Sequence, residues 1–197
     1  RITLRVLTAN RDEPVDAAFF ADRIGRAVAF RRETLNLDAV TDAYRLVHSE
    51  ADGLSGLVVD RFGNTVVVEF FAAGMFKVRQ VIQDTLRGHF PDARFYWFAE
   101  EHVGKQESFD CRPPEPPPPD VITEHGLKFR VAPGSKHKTG FFVDQRENRR
   151  QLATYCRGKR VLDLCCNSGG FSVYAKALGG PATGTPFQGP VADARFA

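Results

Sequence analysis

Arg112 to Asp120 reads RPPEPPPPD, six prolines in nine residues. Proline fixes φ and has no N–H, so this stretch favours an extended polyproline path and cannot lie inside a sheet. It therefore separates one folded region of the chain from the next. Proline-rich ligands for other proteins look similar, and the linker reading is the one adopted here.

Ahead of the prolines, ITLRVLT alternates like a strand and leads through Asn10 to Pro14 into a helix with Phe20, Ile24, Ala27 and Val28 on its apolar side. One strand and one helix cannot make a domain, so this part is expected to be the end of a larger unit. A strand is expected around Leu46 and Val47. GLVVDRFGNTVVVEFF then places two β-rich runs around Phe62-Gly63-Asn64, the pattern of a hairpin. Met75 to Phe90 reads as one helix with Val78, Val81, Ile82 and Leu86 on a face, and RFYWF at Arg94 to Phe98 returns as a strand. Phe95, Tyr96, Trp97 and Phe98 could stack on bases, but in so short a strand they read first as packing. Beyond the prolines, VITEHGLKFRVA is a second hairpin turning at His125-Gly126.

No apolar run reaches the ~18 residues of a membrane span, and no signal peptide is evident. The chain begins at Arg1 and its only methionine is Met75, so the true start is expected to lie upstream. Cys111, Cys156, Cys165 and Cys166 have no C-x-x-C spacing. They are read as reduced thiols of a cytoplasmic protein without a metal site. The overall charge of +3 hides an uneven distribution. Residues 121–160 hold ten Lys or Arg against three acids, a net +7, which leaves −4 for the rest. Such a block suits a polyanionic substrate, nucleic acid first, although most charge runs are solvated helix faces.

VLDLCCNSGGF, Val161 to Phe171, reads as strand, tight turn and helix, with Gly179-Gly180 ending the helix. Such a turn brings backbone N–H groups and the positive end of a helix dipole to the carboxyl edge of a strand, where α/β folds bind ligands. The stretch lacks the Lys-Ser/Thr pair of a Walker A loop and the G-x-G-x-x-G of a dinucleotide site. It offers Asp163 within the strand and Gly169-Gly170 in the turn. A carboxylate beside a helix N-terminus suits a zwitterion, such as the amino-acid end of S-adenosylmethionine. An ordinary turn without ligand is the alternative.

GSKHKTGFFVDQRENRR, Gly134 to Arg150, supplies the other functional candidates. Asp144 followed by Glu147 resembles a capping box, so a helix is expected from Asp144 to about Cys156, with Gly158 beyond its end. Helical spacing puts Gln145 and Arg149 on one face and Arg146 and Arg150 on another. One face can point into a cofactor cleft while the other meets phosphates. Lys136, Lys138, Thr139 and Gly140 precede the helix. An exposed basic helix is the plainer reading of the stretch alone.

Taken together, YRLVHSEADGLSGLVVDRFGNTVVVEFF, GSKHKTGFFVDQRENRR and VLDLCCNSGGF resemble the PUA-domain class I methyltransferases of ribosomal RNA, including the 23S cytosine-C5 enzymes. The likeness covers most of Ile2 to Gly180 and rests chiefly on the middle motif. It implies a fold that is part α/β and part α+β. Residues 1–41 would be a PUA remnant with its connecting helix, and 42–120 a small central α+β domain. Residues 121–197 would be the first part of a Rossmann-like methyltransferase domain. It implies S-adenosylmethionine as cofactor and ribosomal RNA as partner. Asp163, Asn167, Ser168, Gly169, Gly170 and Phe171 would form the methionine-side pocket. Lys138, Thr139 and Gly140 would form a loop over it, with Gln145 and Arg149 contacting cofactor or substrate. Lys136, Arg146 and Arg150 would meet RNA. Cys165-Cys166 departs from the family's usual aromatic and small polar residues.

After Gly180 the chain reads GPATGTPFQGPVADARFA, whose prolines and glycines are not expected to make a central strand. Asp193 lacks the preceding apolar run of a ribose-binding acid. Methylation at C5 generally needs a cysteine thiolate at C6. The family's attacking cysteine lies beyond this chain's last residue, so no catalytic residue is named and the isolated chain is expected to be inactive. Cys165 and Cys166 are read as strand-end packing. A non-catalytic RNA-binding module and a methyltransferase for another substrate are the alternatives.

Overall fold

The computed structural model describes residues 4–134, 138–178 and, as backbone, 182–185. Its centre is a four-stranded sheet of β1 (Ala43–His48), β2 (Leu57–Phe62), β3 (Thr65–Phe70) and β4 (Arg94–Phe98), in that spatial order. The first three strands form an antiparallel meander, and β4 joins β3 in parallel. The expected hairpin is present, with Phe62 paired to Thr65 around Gly63-Asn64. The register of β1 against β2 slips between Arg45 and Val47. This bulge lets the consecutive Leu46 and Val47 enter the same core, which simple alternation would forbid.

Both faces of this sheet are covered, which is why β3 is buried throughout. On one face, α1 (Ala17–Ala29) contributes Phe19, Phe20, Ile24, Ala27 and Val28 to a core with Val66, Val68 and Phe70. The expected apolar side of α1 is therefore correct. The helix assigned to a connecting segment shares its core with the central sheet. Asp16 caps α1 through Oδ1, which accepts from the Phe19 N–H at 3.0 Å. The strand expected at ITLRVLT is not found in its described residues. Leu4 and Val6 are exposed, and no neighbouring strand supplies hydrogen bonds to this segment.

The helix expected over Met75 to Phe90 is two helices, α2 (Ala73–Lys77) and α3 (Arg79–His89). They are separated at Val78, whose ψ of 14° leaves the helical region. Ile82 and Leu86 of α3 are fully buried against the sheet and α1. In β4 the aromatics pack as expected, Phe95 and Trp97 against one core and Tyr96 and Phe98 against the other. A further helix, α4 (Glu101–Glu107), precedes the proline stretch, which carries no regular structure until β5.

The opposite face of the sheet meets the region beyond the prolines. There β5 (Asp120–Glu124) and β6 (Leu127–Val131) form the second hairpin, with His125 and Gly126 both at positive φ as a tight hairpin turn demands. Ala43, Phe62, Val67 and Tyr96 of the sheet share a core with Ile122, Phe129, Phe141 and Tyr174. The two regions are thus packed together despite the extended linker. Helix α5 runs from Arg146 to Thr154, after a short 3-10 turn at Val143–Gln145. The N-cap of α5 is Gln145, whose side chain makes no capping hydrogen bond, and Arg146 Nε donates to the Glu147 carboxylate at 2.9 Å.

β7 (Val161–Leu164), α6 (Gly170–Ala177) and β8 (Ala182–Thr185) complete the described chain, with β8 parallel to β7. After Gly180, where no central strand was expected, a strand does form, and among the described residues it pairs with β7 alone. Residues 182–185 contain no proline, so Pro181 and Pro186 flank the pairing segment instead of interrupting it. Asp193 and the rest of the tail lie outside the described residues. Among the described residues no helix is long and apolar enough to cross a membrane.

Candidate cofactor site

β7 ends in a turn whose backbone is unusually constrained. Cys165 (φ 61°), Asn167 (φ 49°) and Gly169 (φ 72°) all adopt the left-handed conformation. Asparagine and glycine tolerate it, whereas Cys165 does so against its Cβ, the kind of strain that clusters at binding sites. The turn reverses the chain so that α6 starts beside the end of β7. The first N–H groups of α6, on Gly170 and Phe171, have no intrahelical partner by position.

Asp163 is anchored across this turn. Its Oδ2 accepts from the Ser172 N–H at 3.2 Å and the Ser172 Oγ at 3.0 Å. The carboxylate is therefore oriented by the first turn of the helix it faces. Ser172 is buried, and nothing in the sequence pattern singled it out.

A cavity of about 310 Å³ opens between this turn and the start of α5. Of the residues expected at a cofactor site, Asp163, Asn167, Ser168, Gly170, Phe171, Gln145 and Arg149 line it, and Gly169 caps α6 beside it. Phe142, Leu164, Cys165 and Cys166 line it as well. Cys165 is exposed and Cys166 half-buried, so the reading of this pair as strand-end packing is corrected. Burial and the Asp163 carboxylate push the Cys166 thiol up, away from the reactive thiolate.

Arg149 has a different place from the one expected of a ligand-contacting arginine. It is 2 % exposed, and its guanidinium makes a two-pronged bond to the fully buried Glu124, Nε to Oε1 at 2.9 Å and Nη2 to Oε2 at 2.7 Å. Nη1 donates to the Phe142 carbonyl at 3.0 Å, and the guanidinium lies 4.6 Å from the centre of the Phe141 ring. Its stem forms the cavity floor under Gly170, where an added Cβ would approach Arg149 Cδ to 2.8 Å. Glu124 lies in β5 on the same buried face as Ile122. Its only sequence signal is an acidic residue at an inward strand position.

The remaining expected residues separate from the cavity. Thr139 is buried and donates through Oγ1 to Asp60 Oδ2 in the central sheet, whose carboxylate also holds Arg45 in two bonds at 2.9 and 3.0 Å. Gly140 is packed on Ala132, whose carbonyl lies 2.5 Å from where a Cβ would stand. Thr139 and Gly140 are thus part of the junction between the two regions, and the Lys138 side chain lies outside the described residues. Lys136 lies outside the described residues. Arg150 is exposed, and Arg146 lines a second cleft on the other side of the same segment. No group of three or more metal-ligating side chains occurs among the described residues.

The donor set fits a zwitterionic ligand. An anchored carboxylate, unpaired helix-start N–H groups and the Gln145 amide surround one cavity, and Phe142 and Phe171 give it apolar walls.

Residues 106–186 match the family model described as S-adenosylmethionine-dependent methyltransferase. The chain is 36% identical over 184 residues to the ribosomal RNA large subunit methyltransferase I of Shewanella frigidimarina, covering 91% of this chain and 46% of that protein. It is 38% identical over 180 residues to the protein of that name from Klebsiella pneumoniae, covering 89% and 45%. The chain spans about half the length of the curated relatives it matches. A methyltransferase structure solved with SAH superposes with a TM-score of 0.73 at 25% identity, over 90% of this chain and 46% of that one. A SAM-dependent methyltransferase structure from Streptococcus mutans gives 0.72 at the same identity, over 90% and 47%. Sequence and fold together make this chain a relative of the S-adenosylmethionine-dependent methyltransferases.

Proposed function

We propose that the chain is part of an S-adenosylmethionine-dependent methyltransferase that modifies large-subunit ribosomal RNA in the cytoplasm, at C5 of a cytosine. The observation that carries the reading is the cavity at the β7–α6 turn, with Asp163 fixed by Ser172 beside the start of α6. Asp163 would take the cofactor's ammonium and the first N–H groups of α6 its carboxylate. Asn167, Ser168, Gly169 and Phe171 would shape the turn around that end. Gln145 would contact the ligand from the facing helix, while Arg149 holds the floor through Glu124. In this reading residues 1–41 are a PUA remnant, 42–120 a central domain and 121–197 the opening of the catalytic domain.

The cofactor, when bound, supplies a methyl group on a sulfonium. This chain's own residues bind and orient the amino-acid end and exclude water from it. C5 methylation would need a thiolate to add at C6 of the base. Cys156 is buried with its thiol donating to the Leu152 carbonyl, and burial and Asp163 push the Cys166 thiol up, so neither is assigned that role.

Calorimetric titration of S-adenosylmethionine into the chain tests the reading, alongside Asp163→Ala. Saturable binding that the variant loses is the expected result. A folded chain that binds no cofactor, or an Asp163→Ala variant that binds as tightly as the parent, would overturn the assignment of this cavity.

A further inference from the structure

The segment from Phe141 to Arg146 is a wall with two sides. Phe142 and Gln145 face the cofactor cavity, whereas Phe141, Val143, Asp144 and Arg146 line a separate cleft of about 260 Å³. The far side of that cleft is built by the end of α1 and by β1, and includes Phe30, Leu35, Tyr44 and His48. It therefore lies between the central region and the methyltransferase-like region, one backbone thickness from the cofactor cavity.

Its walls have a chemistry that the core does not need. Phe30 is 47% exposed at a point where the chain has just left a well-packed helix. There the helix widens into a π-helical turn over Phe30–Thr34, closed by the Leu35 N–H on the Phe30 carbonyl at 2.9 Å. Such turns are rare and frequently occur at functional sites. The Phe30 ring is backed by Arg31, whose Cζ lies 5.4 Å from the ring centre. Arg31 is itself immobilised by Asp52, at 2.6 and 2.9 Å, and by the Arg45 carbonyl at 3.1 Å. An aromatic platform is thus held rigid before any ligand arrives, so little ordering would be needed on binding. At the rim stand Arg146, a cation at the first turn of α5, and His48, 3.4 Å from Arg45. Arg31, Arg45 and Arg146 are paired with Asp52, Asp60 and Glu147, and Asp144 also lines the cleft, so its charges are mixed.

We propose that this cleft holds an unpaired base of the RNA substrate next to the nucleotide being modified. The base stacks on Phe30, and its phosphate lies toward Arg146 and His48. A mixed, mostly neutralised lining suits a stacked base with one adjoining phosphate better than a polyanionic groove. The shared wall explains the spacing: a strand lying over the Phe141–Arg146 segment can present one base to each side. The proposal rests on the RNA-methyltransferase reading given above.

The test uses a short single-stranded RNA carrying one 2-aminopurine, with binding followed by anisotropy and stacking by quenching of that base. Phe30→Ala should weaken binding about tenfold and abolish the quenching, as expected for one lost base–aromatic stack. Phe30→Tyr should retain both, and Arg146→Gln should weaken binding and reduce its salt dependence. Phe30 is half-exposed, so folding and cofactor titration should be unchanged in the two Phe30 variants. RNA bound with parental affinity and quenching by Phe30→Ala would overturn the cleft assignment alone. A folded chain that binds no RNA at low salt would overturn it together with the ribosomal RNA reading.

Discussion

Removing the Glu124 carboxylate should unfold the cavity floor, and the size of the effect follows from its surroundings. Glu124 is fully buried and Arg149 is 2% exposed, so a Glu124→Ala chain would keep a guanidinium out of water with only the Phe142 carbonyl and the Phe141 ring as partners. Leaving one member of a buried ion pair uncompensated costs about 3–5 kcal/mol. In a chain of this length that lowers the melting temperature by roughly 6–20 °C. Replacing both partners, as in Glu124→Leu with Arg149→Met, removes the stranded charge and should recover most of the loss. Urea unfolding of the parent, both single variants and the pair would give the coupling energy directly. A Glu124→Ala chain within about 1 kcal/mol of the parent would behave like an exposed pair and refute the argument. So would additive losses in the double variant.

Three further outcomes are expected. Gly170→Ala should drive a Cβ against Arg149 Cδ and cost about 1–3 kcal/mol by overpacking, with weaker cofactor binding, both read by thermal melts with and without ligand. Glu69 is pushed up to about 7 from the ordinary 4.5 by burial and by the neighbouring Glu100 and Asp60 carboxylates. Its folded form holds the proton more tightly than the unfolded chain does, so stability should fall as pH rises from about 4.5 to 7 and then level off. Glu69→Gln should flatten that part of a melting-temperature profile, and a Glu69→Gln profile as steep as the parent's would contradict it. Thr139→Val should lose about 1–2 kcal/mol in urea unfolding, because Asp60 loses a donor at the junction of the two regions; an unchanged midpoint would show that bond to be idle.

Periodicity and turn chemistry alone determined much of this protein. The Phe62-Gly63-Asn64 and His125-Gly126 hairpins, the apolar face of α1 and the strand–turn–helix at Val161 to Leu178 all follow from local rules that tertiary packing left intact. The residues of the glycine turn were legible for the same reason, since neighbours in sequence are neighbours in a tight turn. The tertiary structure decided what depends on partners far along the chain. Alternation cannot say whether a strand's outer edge finds a neighbour, so ITLRVLT reads as a strand without one while 182–185 pairs with β7. Helical spacing put Arg149 and Gln145 on one face, but only the fold placed Glu124, 25 residues upstream, against the guanidinium of this cavity-lining arginine. The same holds for Thr139, committed to Asp60, 79 residues away. A buried charge is settled by whichever opposite charge reaches it, and that is a property of the assembled core.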